Sequence, residues 1–222
     1  MDMPAGLHID VVSDVVCPWC FIGKRQVEHA VGQWRQENPG VPAPILRWRP
    51  FQLNPDMPAG GMARSDYLQQ KFGSPDGGIR FERVRAAARE VGLELRLESI
   101  STQPNTLKAH GLIELAAECN QQTALAEALF QAYFLDGRDL SDDATLRHIA
   151  ADVGMTDGLV DAVLNEDQVV RLIAAADAEM REYGVSGVPL FIIGTEHGSR
   201  VAVSGAQGAD RLLQAMRRVH AA

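Results

Sequence analysis

The 222-residue chain has little cysteine, few aromatic residues and no excess of positive charge, and each shortage removes a class of protein. Three cysteines cannot staple a chain of this length, so a disulfide scaffold is excluded; in a reducing compartment, closely spaced cysteines are catalytic or metal-binding instead. Lys and Arg number 21 against 29 Asp and Glu, a formal net charge of −8, and that balance argues against a nucleic-acid partner, which calls for a basic footprint. No apolar run approaches the roughly 18 residues of a membrane span, so no membrane partner is expected. The first dozen residues lack the basic start and long apolar stretch of a signal peptide, so a cytoplasmic location is expected. No repeat period stands out, which disfavours a solenoid. What remains, with 46% hydrophobic and 23% charged residues, is an ordinary globular composition, sized for one large domain or one domain carrying an insertion.

Hydrophobic spacing supplies the layout. Residues 7–13 (LHIDVVS) read as a buried strand. Cys17-Pro18-Trp19-Cys20 then opens a helix whose apolar positions are Val27, Ala30, Val31 and Trp34, with Pro18 suited to the first turn. Pro39, Gly40, Pro42 and Pro44 punctuate a loop before a second strand over residues 45–51, limited by Pro50. From Ser65, a candidate N-cap, to Tyr183 the pattern is helical with no strand, Gly73 stopping the first helix. The last of these helices shows a stripe of Val169, Leu172, Ile173, Ala176 and Met180. Two short strands at 190–193 and 201–204 form a hairpin, and a final helix carries Leu212, Leu213, Met216 and Val219. The expectation is an α/β chain: residues 1–60 and 184–222 form one discontinuous βαβ…ββα domain, and residues 61–183 form a helical insertion.

The chemistry concentrates at Cys17 and Cys20. Two thiols separated by two residues at a helix start place the first sulfur outside and the second one turn in. The helix end favours an anion, so Cys17 is the expected nucleophile and Cys20 the resolving thiol of disulfide exchange. Two other readings stand beside it: half of a zinc site, for which no second cysteine pair or suitably spaced histidine pair is present, and two inert buried cysteines. Asp14 could tune the thiolate, relay a proton or simply end the strand. Lys24, two turns into the helix, reads as part of a solvated face, and Cys119, followed by the potential cap Asn120, as a partly buried structural thiol. Trp34, Trp48, Phe51, Phe130, Tyr133 and Phe134 read as core aromatics, whereas Trp19 should be exposed beside the sulfur and able to touch substrates.

VVCPWCFIGK at the start of the first helix, PFQLNP at 50–55, NTLKAH at 105–110, GVSGVPLFIIG at 184–194 and SGAQ at 204–207 together resemble the DsbA-like thioredoxin superfamily, and its FrnE-type cytoplasmic branch in particular. The resemblance spans nearly the whole chain. It implies a thioredoxin-like fold interrupted by a helical domain, and a protein disulfide oxidoreductase acting on protein or peptide thiols and disulfides. It also implies that Val188-Pro189 is a cis pair facing Cys17, lining the substrate site with Pro18 and Trp19. Asn105 and His110 match a motif that glutathione-dependent relatives, the kappa-class transferases and 2-hydroxychromene-2-carboxylate isomerases, place near their substrate groove. A helix cap for Asn105 and a packing role for His110 are the plainer alternatives. Those relatives typically carry serine where Cys17 stands, so the Cys17–Cys20 pair shifts the expectation toward exchange. No metal or organic cofactor is called for, although glutathione could serve as co-substrate. A glutathione-dependent isomerase or transferase acting on a small hydrophobic substrate, and a chaperone or binding module, remain the alternative functions.

Overall fold

The computed structural model describes residues 6–196 and 198–221, so the first five positions of the expected thioredoxin-like segment lie outside the described residues. In chain order the elements are β1 (His8–Ser13), α1 (Pro18–Glu37), β2 (Ile45–Pro50), β3 (Met62–Ala63), α2 (Arg64–Phe72), α3 (Gly78–Glu90), β4 (Thr102–Gln103), α4 (Leu107–Leu115), α5 (Gln122–Phe134), α6 (Asp143–Asp152), α7 (Asp157–Leu164), α8 (Asp167–Glu182), β5 (Leu190–Gly194), β6 (Arg200–Ser204) and α9 (Ala209–His220). β1 pairs parallel with β2 and antiparallel with β5, and β5 pairs antiparallel with β6, giving the sheet order β2-β1-β5-β6. This is a thioredoxin-like sheet whose two halves are separated by the helices between β2 and β5.

Two details differ from expectation inside that helical stretch. β3 and β4 form a small antiparallel ladder where no strand is expected, because two-residue strands carry no readable periodicity. α2 begins at Arg64, immediately after β3, so Ala63 holds the cap position and Ser65 lies within the helix; Gly73 ends it in the left-handed conformation, as its place after the apolar run suggests. The α8 stripe is also rotated. Ile173 and Asp177 are its buried positions, whereas Leu172 is exposed.

Alternation along β1 turns Ile9, Val11 and Ser13 to one face, and α1 and α9 cover that face, Trp34 meeting His220 edge-on at 5.0 Å. α1 comes so close to β5 that a Cβ on Gly23 would stand 3.0 Å from both the Phe191 ring and Pro189 Cγ. The helical insertion joins this core through an aromatic stack, with Phe21 of α1 lying 5.1 Å from Phe130 and 6.1 Å from Phe134 of α5, and Trp48 of β2 6.2 Å from Phe130. All four rings are buried, so this junction is apolar at its centre. Charge flanks it: Lys24 Nζ lies 2.5 Å from Glu28 Oε1 and 2.6 Å from Glu127 Oε2, and Arg25 donates to the same two carboxylates. No helix among the described residues is long and apolar enough to cross a membrane.

Candidate active site

The turn after β1 delivers Cys17 to the start of α1. Its backbone is extended (φ −94°, ψ 112°), Pro18 follows at the first helical position, and the Cys17 N–H donates to the Asp14 carbonyl at 3.0 Å. Cys20 N and Phe21 N both donate to the Cys17 carbonyl, at 3.0 and 3.3 Å, so the first helical turn hangs from the residue that carries the thiol. The Val188–Pro189 peptide is cis, and the Val188 carbonyl accepts from Cys17 Sγ at 3.8 Å.

Burial corrects one expectation. Cys17 is only 4% exposed, because the Val188–Pro189 turn closes over it; Trp19, at 38%, is the member of the Cys-Pro-Trp-Cys turn that meets solvent. Cys20 is deeper still. Burial pushes its thiol well above the ordinary range, its hydrogen bond with Cys17 adds to the rise, and the Asp14 backbone and the Ser13 hydroxyl act in the opposite direction. All three cysteines are free thiols, and Cys119, partly buried, donates to the Ala116 carbonyl at 3.4 Å just before Asn120 turns left-handed.

Behind the thiol pair, three sequence motifs meet. Asp14, 1% exposed, accepts the Leu53 N–H through Oδ2 at 2.8 Å, and its Oδ1 lies 3.4 Å from His110 Nε2. The Gln52 N–H donates to Asp177 Oδ1 at 2.7 Å; Arg181 pairs with Asp177 at 3.0 Å, also reaches the Gln52 carbonyl, and lies 4.2 Å over the Phe51 ring. The Pro50–Pro55 segment is thereby gripped from β1 on one side and α8 on the other. Asn105 accepts the Leu107 N–H at 2.9 Å and donates to the Met57 carbonyl at 2.7 Å, so it caps α4 from the position before Thr106. His110 is 4% exposed. The two residues expected beside a substrate groove are thus held by protein contacts, Asn105 as a cap and His110 in the interior against Asp14.

Lys24 also departs from expectation, being 2% exposed rather than on a solvated face, because α5 brings Glu127 against it. Burial pushes the Glu127 carboxyl up, but the hydrogen bonds from Arg25 and Lys24 outweigh it and hold the group below the ordinary glutamate value. Sequence reasoning did not single out Ser13, Leu53, Asp177 or Arg181. Ser13 carried a signal, since it is the polar member of the otherwise apolar Ile9, Val11, Ser13 face. A groove of about 890 Å³ runs between the second sheet face and α8, lined by Val12, Leu190, Ile192, Ala176, Met180 and Tyr183 among others; neither Cys17 nor Trp19 lines it. Among the described residues, no three His, Cys, Asp or Glu side chains group so as to hold a metal ion.

Comparison with known proteins gives a consistent setting. A family model described as a DSBA-like thioredoxin domain matches residues 8–217. The uncharacterized protein YwbO of Bacillus subtilis (strain 168) is 28% identical over 206 residues, which cover 92% of each chain. Among solved structures, a probable DsbA oxidoreductase from Streptomyces coelicolor is similar with a TM-score of 0.82 and 28% identity, over 96% of this chain and 89% of that one. The cytosolic disulfide reductase DsbM from Pseudomonas aeruginosa with GSH has a TM-score of 0.61 at 17% identity, over 96% of both chains. For a 2-hydroxychromene-2-carboxylate isomerase the values are 0.66 and 13%, over 95% of both. These last two likenesses are of fold.

Proposed function

Because the chain belongs to the DsbA-like thioredoxin family, we propose that it is a thiol–disulfide oxidoreductase working through Cys17 and Cys20 on protein or peptide substrates, with glutathione as a possible small co-substrate. The observation that carries the reading is the placement of Cys17 Sγ at the start of α1, 3.8 Å from the Val188 carbonyl, with Cys20 buried one turn inside. Cys17 is the outer of the two sulfurs and stands at the positive end of the α1 dipole, which makes it the attacking one. Attack on a substrate disulfide forms the Cys17 mixed disulfide and expels one substrate thiolate. Cys20 then attacks Cys17 Sγ, closing the Cys17–Cys20 disulfide and releasing the second substrate thiolate. The reverse sequence oxidises a substrate dithiol. Pro18 and Trp19 follow Cys17 in the chain, and Val188, whose carbonyl lies 3.8 Å from the Cys17 sulfur, offers backbone beside it for a substrate segment to align against. A cytoplasmic setting fits the sparse use of cysteine.

Equilibration across glutathione redox buffers, followed by alkylation and mass analysis, tests this. One two-electron transition joining Cys17 to Cys20 is expected, and independent alkylation of both thiols at every poise overturns the proposal. Replacing Cys20 separates it from a glutathione-dependent isomerase chemistry, which needs no resolving thiol.

A further inference from the structure

Arg64 stands at the start of α2 and is 7% exposed, yet no Asp or Glu among the described residues pairs with it. A buried guanidinium ordinarily sits against a carboxylate, since an uncompensated charge away from water is costly. Here the hydrogen-bond partners are neutral. Arg64 Nη1 donates to the Gln103 amide oxygen and, at 3.2 Å, to the Tyr133 hydroxyl, which burial pushes well above its ordinary range and so keeps protonated. The rings of Tyr67, Phe81 and Tyr133 lie 5.6, 5.8 and 5.9 Å from the guanidinium carbon. Aromatic faces attract a cation without cancelling its charge. Arg64 Nε is buried with no hydrogen-bond partner among the described residues, so the guanidinium keeps both positive charge and donor capacity unspent.

Arg64 also lines a pocket of about 390 Å³ in the helical insertion, a volume within the range that holds small ligands. Leu68, Phe81, Leu97 and Ile100 give it apolar walls, and Ser65 and Ser101 add hydroxyls. The N-terminus of α2 opens here with no side-chain cap, an end that favours negative charge; Asp66, in the same turn, is exposed and does not line the pocket. Two carboxylates do line it, Asp76 and Glu98, and both are engaged. Asp76 accepts the Gly78 N–H at 3.0 Å and the Ser74 hydroxyl, and Arg85, the other cation of the lining, is held by Glu98 at 3.0 Å and Glu82 at 2.8 Å. Arg64 and Arg85 balance Asp76 and Glu98, so the lining accommodates one negative charge beside Arg64 and disfavours a polyanion.

We propose that this pocket binds a small monocarboxylic acid with an apolar body, its carboxylate paired with the Arg64 guanidinium and its body against Leu68, Phe81, Leu97 and Ile100. The acid supplies the charge that the fold withholds from Arg64, and its two oxygens match the planar N–H donors of the guanidinium. None of Cys17, Cys20, Val188 or Pro189 lines the pocket, so the site is separate from the thiol pair and its occupation requires no redox step.

The test titrates benzoate into the full chain and follows the Arg64 Nε–H resonance and the Ser65 and Ser101 amides by NMR. Saturable shifts in all three are expected. Benzamide, similar in shape but uncharged, should bind at least about tenfold more weakly, the discrimination that a hydrogen bond to a charged group provides. Inorganic phosphate at equal concentration should not displace benzoate. Ser101→Glu, at an exposed side chain, adds a further negative charge to the lining and should lower benzoate affinity at least about tenfold while the rest of the amide spectrum is unchanged. Arg64→Lys keeps the charge, loses the planar donors and should weaken binding likewise; if that chain does not fold, Ser101→Glu decides. Equal affinity for benzoate and benzamide means an apolar pocket only and overturns the proposal, as do the absence of saturable shifts, displacement by phosphate, or unchanged benzoate binding in the folded Ser101→Glu chain.

Discussion

At the scale of single residues, the two thiols are distinguished by what surrounds them. Cys17 sits at a helix start under a carbonyl, and Cys20 is enclosed with its thiol pushed up by burial. Timed alkylation with peptide mapping should find Cys17 modified well before Cys20, with the Cys20 rate still rising above pH 9, the ordinary cysteine value from which it is displaced upward. Equal rates at neutral pH would contradict the asymmetry. In a Cys20→Ser chain, the Cys17 mixed disulfide should persist, visible as a stable mass adduct, because no internal thiol resolves it. Both cysteines were legible from spacing alone, whereas the burial of Cys17 was not. The residues that cover it, Val188 and Pro189, come from the far end of the chain, and nothing between positions 17 and 20 encodes their closeness.

At the scale of elements, α1 is fixed by two devices of opposite chemistry. Gly23 lets its backbone approach Phe191 and Pro189, so Gly23→Ala should cost about 1–3 kcal/mol by overpacking, read from the urea midpoint. On the neighbouring face, Lys24 and Arg25 hold Glu127 of α5. Glu127 titrates lower in the folded state than unfolded, so its contribution is fully present above the ordinary value of 4.5 and is lost as pH falls through the lowered folded value. Glu127→Gln should therefore destabilise the protein by about 1–3 kcal/mol at neutral pH and flatten the acid limb of its stability curve below pH 4.5, followed by denaturant titration. The element pattern was readable wherever apolar spacing was sustained: β1, α1, β2, β5, β6 and α9 stand where their periodicity puts them. It failed where spacing is silent, at two-residue β3 and β4, at the start of α2, and at Lys24, whose burial depends on a carboxylate 103 positions later in the chain.

At the scale of the whole molecule, β1 lies between β2, which follows it closely, and β5, which arrives only after seven intervening helices among the described residues. A chain ending at Gly184 would leave Ile9 and Val11 without Phe191 and Ile193 beside them. Such a fragment should show no cooperative urea transition by circular dichroism, although its helices form in part. The overall order of strands and helices was visible in the sequence because each half of the sheet has its own periodic signal. How the helical insertion seats on that sheet was not, since Phe21, Trp48 and Phe130 look like ordinary core residues until their stacking is seen.

The contact between Cys17 and Val188 spans 171 positions, and this has a consequence for biosynthesis. At roughly 5–20 residues per second of synthesis, Cys17 leaves the ribosome 171 positions ahead of Val188, well before the turn that encloses it has been translated. For that interval Cys17 and Cys20 are open thiols on an incomplete sheet, exposed to any oxidant or stray disulfide nearby. The order of the chain thus leaves both thiols unguarded until the last strands are made, independent of the direction in which the finished protein moves electrons.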